Sequence, residues 1–298
     1  MSGTAPESHS RGMGAIVIAA VLLSTGGLFI KAVDLDAYGI SMWRSLLAAV
    51  TIWAILRPSI WKRPSATVLA IAVSYAGMLL FLVIATRLTT AANAIFLQFT
   101  APLYVAVLAG LFLRERPTRL DLTTLAITFA GMSLFFVGKL ETDALAGNLF
   151  GLAAGVCFGC MLVLFRAQGV SAEDRVAAVI IGNVGLAAML LPVNIVRDEG
   201  DVFTPGLADT AGLAFMGFVQ IGLGYIAMAY GIARVAALEA SLINMVEPVL
   251  NPVWVFIFLG ENPGGWAVLG GGIIVAAVTS RILLGERGRR PGAAVAVR

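Results

Sequence analysis

Residues 236–263, AALEASLINMVEPVLNPVWVFIFLGENP, carry the most chemically loaded spacing in the chain. Asn244, Glu247 and Asn251 follow one another at intervals of three and four, so a helix places all three on one face. A carboxyl group flanked by two amides on an otherwise apolar helix can hold an ammonium group or exchange a proton. Pro248 and Pro252 interrupt the same run, and each removes an amide donor and frees the carbonyl four residues earlier. Such a helix is tolerated across a bilayer, where neighbouring helices or a wet cavity satisfy the freed groups. An acid at the centre of a spanning helix costs about 2.5–3.5 kcal/mol on insertion scales, so Glu247 is expected to face the protein interior. The competing account is a buried acid held neutral by Asn244, with the asparagines bridging helices.

The elements that must position these groups follow from composition. Hydrophobic residues make up 59% of the chain and charged residues 12%, with a mean hydropathy of +0.94, which is the range of a polytopic membrane protein. Cys157 and Cys160 cannot build a disulfide framework and read as small packing residues on an apolar helix. His9 is the one histidine. No metal, no cofactor and no nucleic-acid partner is expected, since the net charge of +3 is spread over loops.

Apolar runs with few charges divide the chain into ten spans, at about 12–30, 37–56, 64–86, 88–113, 122–138, 147–165, 176–196, 207–233, 236–263 and 264–284. The first twelve residues are small and polar and are expected to lack fixed structure. The first span also admits reading as a cleaved leader, but no clear cleavage site follows it. Of the twenty Lys and Arg residues, fifteen fall on the side of the N-terminus, and four (Lys31, Arg87, Lys139, Arg197) on the other. Arg44 lies within a span. This bias puts both termini in the cytoplasm.

A shift of 146 residues lays 101–117, APLYVAVLAGLFLRERP, over 247–263, EPVLNPVWVFIFLGENP. Pro102 falls on Pro248, Glu115 on Glu261 and Pro117 on Pro263. The chain therefore reads as all-α: ten transmembrane helices as two five-helix repeats, 13–138 and 147–284, joined by an external linker at 139–146. The tails are 1–12 and a basic 285–298. Five is odd, so the repeats must be inverted in the bilayer, which points to alternating access around a site near the midplane.

The repeat assigns further candidates. Gln98 is the equivalent of Asn244, and Tyr104 shares a face with Asn93 and Thr100. Arg44 stands about 10 Å from the outer end of its span at 1.5 Å per residue. It either meets a substrate carboxylate or snorkels toward Asp34 or Asp36. Tyr75, Tyr225, Trp43 and Trp254 form an aromatic set able to cage an apolar side chain, although each alone also fits packing or interface anchoring. Gly147, Gly151, Gly155 and Gly159 recur every four residues as a smooth stripe for close helix contact, and Gly270, Gly271 and Gly272 offer another. Glu115 and Glu261 read as helix-end anchors.

The doubled motif, a mid-span proline followed by an apolar run, a glutamate and a proline two residues later, resembles the EamA family of the drug/metabolite transporter superfamily. Lys31, Arg44 and Gly131 fit that resemblance, which covers about residues 13–284. It implies a ten-helix secondary carrier of the bacterial inner membrane, a monomer or weak dimer, exporting amino acids or other small metabolites. It is most similar to the aromatic amino-acid exporter branch. The implied partners are a small-molecule substrate, the lipid bilayer and, as a candidate coupling ion, the proton. A drug or cation carrier of the same fold is the alternative. Two other classes are a membrane-embedded enzyme on lipid-linked substrates and a non-transporting scaffold or channel subunit. Against the enzyme stands the absence of an H-E-x-x-H or G-x-S-x-G constellation in the spans.

Overall fold

The computed structural model describes residues 5–57, 64–89, 91–115, 117–134, 145–197, 202–260 and 264–289. Within them every regular element is helical. In chain order these are helix 1 (Ser8–Ala32), helix 2 (Ala37–Leu56), helix 3 (Ala66–Leu88) and helix 4 (Ala94–Leu113). There follow helix 5 (Arg119–Leu134), helix 6 (Leu145–Leu164), helix 7 (Ala172–Arg197), helix 8 (Leu207–Ile232), helix 9 (Ala237–Phe258) and helix 10 (Gly265–Arg289). Eight of these, all but helices 5 and 10, are long and apolar enough to cross a membrane. Helix 10 carries a shorter apolar stretch, Val268–Leu284. Glu261, Pro263, most of the expected linker and the end of the basic tail lie outside the described residues.

The expectation of an unstructured N-terminus is corrected, because the helix begins at Ala5 and is continuous to Leu23. Tertiary contacts hold it. His9 Nδ1 donates to the Arg234 carbonyl (3.1 Å) while Nε2 faces Glu239 (3.3 Å). Gly12 sits so close that a Cβ there would meet Arg234 Cβ at 2.7 Å.

Three helices are broken. Helix 4 stops at Gln98 and resumes at Ala101; helix 9 stops at Asn244 and resumes at Glu247. The prolines at 102 and 248 bring no N–H to the carbonyls four residues earlier, so the backbone tightens locally. Thr100 N donates to Leu97 O (3.2 Å), and Met245 N to Leu242 O (3.1 Å). Both helices also end in a left-handed residue, Arg114 (φ 57°) and Gly260 (φ 69°), the latter without the Cβ penalty. Helix 1 has the third break, at Ser24 and Thr25. Their hydroxyls bond back to the carbonyls of Val21 (2.6 Å) and Leu22 (2.7 Å), competing with the helical ladder.

Packing runs in pairs. Helix 3 lies along helix 6, helix 1 along helix 8, helix 2 along helix 7 and helix 5 along helix 10. Helix 4 rests on helix 6 through Gly151, Gly155 and Gly159, while Gly147 meets Leu88 and Thr89 at the end of helix 3. A Cβ at Gly155 would lie 2.8 Å from both the Leu97 carbonyl and Thr100 Oγ1, at the break itself. Side chains such as Val73, Leu111, Phe112 and Val196 are left exposed on the outside, an apolar surface suited to lipid.

Candidate functional site

A cavity of about 560 Å³ of empty space, part of it open to solvent, lies where the broken helices meet. Its polar wall is made by Arg44 from helix 2, Gln98 from helix 4, Gln220 from helix 8, and Glu247 and Asn251 from helix 9. The apolar wall includes Leu23, Ile30, Met78, Leu82, Phe158 and Tyr225.

Glu247 owes its position to the break, because it opens the second half of helix 9. Asn244, closing the first half, donates Nδ2 to Glu247 Oε2 (3.1 Å) and is itself fully buried. Asn244 thus orients the carboxyl group without reaching the cavity wall. No basic side chain forms an ion pair with Glu247 among the described residues.

Arg44 is 2% exposed. Its Nη2 donates to the Leu79 carbonyl (2.7 Å), whereas Nε is buried with no partner. The snorkelling account is thereby corrected. Asp36 instead caps helix 2 through Gly39 N (2.7 Å) and faces Arg197 (3.6 Å), while Asp34 N bonds Asp209 (2.9 Å). Those local bonds occupy the Asp36 carboxylate and hold the Asp34 backbone, and burial of Arg44 keeps the guanidinium inside the bundle.

The aromatic set divides. Tyr225 lines the cavity. Tyr75 stands behind it in an edge-to-face pair (4.7 Å between ring centres) and accepts from Asn183 Nδ2 (3.0 Å). Trp43 points away and donates Nε1 to Val202 O (2.7 Å). Trp254 donates to Ser24 Oγ (2.7 Å), pinning helix 9 to the break in helix 1. Tyr104 packs beside Gly159 on the glycine stripe and is absent from the cavity wall. Cys157 and Cys160 are free thiols on helix 6, and no three-residue metal cluster occurs among the described residues.

Gln220 escaped the sequence reading. It is the one amide in helix 8, a signal in an apolar span that would have singled it out. Its Nε2 donates to the Leu23 carbonyl (3.1 Å), one of the groups exposed by the break in helix 1. Gly26 and Gly27 make room: a Cβ on the first would collide with Gln220 Nε2, and on the second with the Asn251 amide.

Below the cavity, at the end of the bundle where helix 1 begins, ionic contacts close the structure. Arg281 binds Asp121 (Nε to Oδ1, 2.7 Å) and Glu239 (Nη1 to Oε1, 3.4 Å). Glu115 binds Arg166 (Nη2 to Oε1, 2.6 Å) and accepts from Ala237 N (3.1 Å). Arg166 Nη1 also donates to the carbonyls of Ile232 (3.1 Å) and Val235 (2.5 Å). Glu115 is therefore more than a helix-end anchor, since it ties helices 4, 6 and 9 together. The cavity wall extends the other way, to Ile30, Leu82 and Thr86 near the opposite ends of their helices.

The EamA-like transporter family matches the chain twice, over residues 10–137 and 145–281. A "Probable terminal-alkyne amino-acid exporter" of Streptantibioticus cattleyicolor is 28% identical over 93% of this chain and 96% of its own length. The "Threonine/homoserine exporter RhtA" of Escherichia coli K12 is 27% identical over 81% of this chain and 80% of its own. A solved structure titled "Crystal structure of protein" superposes with a TM-score of 0.79, covering 95% of this chain and all of that one at 17% identity, and so shares the fold.

Proposed function

The chain belongs to the EamA-like transporter family and is a multi-pass membrane protein; from that premise we propose a secondary carrier that exports small metabolites, amino acids foremost, across the bacterial inner membrane by alternating access. The observation that carries this reading is a polar cavity with an acid and an arginine in its wall, enclosed by helices whose outer faces are apolar. Packing alone would not place charged groups there, given their cost in a bilayer. The names of the two exporters above support amino acids as solutes. Tyr225, Phe158, Met78 and Ile30 in the wall suit an aromatic or other hydrophobic side chain.

Two inverted five-helix repeats are the architecture this mechanism uses. The breaks at 99–100 and 245–246 stand 146 residues apart, as do the left-handed caps at Arg114 and Gly260. The helix pairs agree as well: exchanging the repeats turns the pair of helices 1 and 8 into that of helices 6 and 3, and returns pairs 2 with 7 and 5 with 10 to themselves. The double family match supports the same division. With both termini cytoplasmic, the ionic contacts close the cytoplasmic end and the cavity faces outward.

Counterflow of labelled phenylalanine, leucine and threonine in proteoliposomes, with and without a pH gradient, tests the proposal. Saturable uptake blocked by related amino acids is expected, and stimulation by the gradient would make the proton the coupling ion. Absence of any exchange by folded, reconstituted protein would overturn the carrier reading and favour a lipid-linked substrate instead.

A further inference from the structure

The cavity holds a cation and an acid that do not pair with each other. Arg44 and Glu247 both line it, and Tyr225 lies within electrostatic reach of each. No ion pair joins Arg44 to Glu247 among the described residues. Opposite charges withdrawn from water ordinarily meet, since unpaired burial is costly. Here both stand in the wall of one cavity.

The uncharged groups add direction. Gln220 commits Nε2 to the Leu23 carbonyl, which fixes the other end of the amide as oxygen; that Oε1 is buried and has no partner. Gln98 Oε1 is likewise buried and unpartnered. Both residues are 4% exposed and line the cavity. Among the residues that line the cavity, the buried atoms without a hydrogen-bond partner are thus two amide oxygens, from helices 4 and 8, and one cationic donor, Arg44 Nε from helix 2. With the Glu247 carboxyl group, the acceptors form one pole and Arg44 the other.

We infer that the cavity is a two-pole site for a zwitterion, with Arg44 taking the substrate's carboxylate and Gln220, Gln98 and Glu247 taking its ammonium group. This rests on the amino-acid carrier reading above and adds to it which residues take each end of the substrate, with Gln220 as a specificity-determining residue. A lone organic cation would leave Arg44 Nε unmet and be repelled by it. A lone carboxylate would face three acceptors. An α-amino acid matches both poles, and its side chain falls against Phe158, Met78 and Ile30.

The test needs no variant to begin. In the same counterflow assay, labelled leucine competes with unlabelled leucine, with 3-methylbutylamine, which lacks the carboxylate, and with 4-methylpentanoate, which lacks the amine. Each analogue is expected to compete roughly 10- to 100-fold more weakly than leucine, the scale of a lost hydrogen bond to a charged group. Competition by either analogue within about threefold of leucine would overturn the two-pole site while leaving the carrier standing. If leucine itself is not exchanged, the same comparison is run with phenylalanine, 2-phenylethylamine and 3-phenylpropanoate. Failure of both amino acids overturns the inference together with the amino-acid reading. Arg44→Gln is then expected to bring the ratio of amine to amino-acid competition close to one. Gln220→Leu should weaken leucine and the amine together, leaving 4-methylpentanoate unchanged. Because Gln220 also holds Leu23, melting temperature is followed in each variant. A ratio unmoved in a folded Arg44→Gln protein would refute the assignment.

Discussion

Helices 4 and 9 share one frame and differ in what they mount on it. Both break two residues before their second segment's proline, and both end in a left-handed residue. At the position where helix 9 has Glu247, helix 4 has Ala101, which is fully buried against the glycine stripe of helix 6. Gln98 and Asn244 correspond in sequence, yet Gln98 reaches the cavity while Asn244 turns to hold the carboxyl group. The difference teaches that two helices with the same break and the same left-handed end can differ in chemistry: of the pair, helix 9 alone carries an acid at the break.

Removing the charge where it occurs is the largest expected perturbation. Glu247→Gln keeps shape and the contact with Asn244, and should lower transport about 100-fold or more, as expected when a charged partner is lost, with little change in melting temperature. Near-normal counterflow by the purified variant would take Glu247 out of the site. The reciprocal change, Ala101→Glu, puts an acid where helix 4 packs on helix 6. It should destabilise by about 3 kcal/mol, the scale of an unpaired acid in a span, seen as poor insertion and a lowered melting temperature. A stable, active Ala101→Glu protein would show that the two frames are interchangeable.

Gly155→Val tests the contact that supports only the helix 4 break. Its new side chain would push on the Leu97 carbonyl and Thr100 Oγ1, costing about 1–3 kcal/mol by overpacking in a thermal or denaturant melt. The smallest effect is expected from Glu115→Gln, which weakens the half-exposed pair with Arg166 by about 1 kcal/mol. Under the proposed alternating access it should open this end of the bundle several-fold more often, read as faster alkylation of a cysteine introduced beside Glu115 and Ala237. Unchanged alkylation would limit Glu115 to anchoring.

Much of the frame was legible because its causes are local. A proline lacks its N–H whatever surrounds it, so the breaks in helices 4 and 9 could be placed from Pro102 and Pro248. A glycine every fourth residue makes a smooth face wherever it packs, and the stripe on helix 6 met helix 4. Glu247 stood out because an acid in an apolar run has few tolerable positions. The break in helix 1 was less legible, since Ser24 and Thr25 only compete with the helical ladder and do not forbid it.

The site was legible in part. Gln98, Arg44, Asn251, Tyr225 and Glu247 share the cavity, whereas Trp43, Trp254, Tyr75 and Tyr104 hold neighbouring elements. What separated them is the direction each helix turns once packed, which no single span encodes. Arg44 could be read as snorkelling because Asp34 and Asp36 are near in sequence; the fold gave the Asp36 carboxylate to Arg197 and the Gly39 amide and left Arg44 with the Leu79 carbonyl.

The amino-acid sequence by itself determined the membrane class and eight long apolar helices, and it placed Pro102 and Pro248 beside the two breaks, because hydropathy and backbone donors are properties of residues and their near neighbours. Only the tertiary structure decided that Gln220 meets the carbonyl of Leu23, that His9 faces Glu239 and that Arg281 joins Asp121 to Glu239. Those contacts join residues 42 to 230 positions apart. Their partners are set by which helix faces converge, a consequence of packing the whole bundle at once.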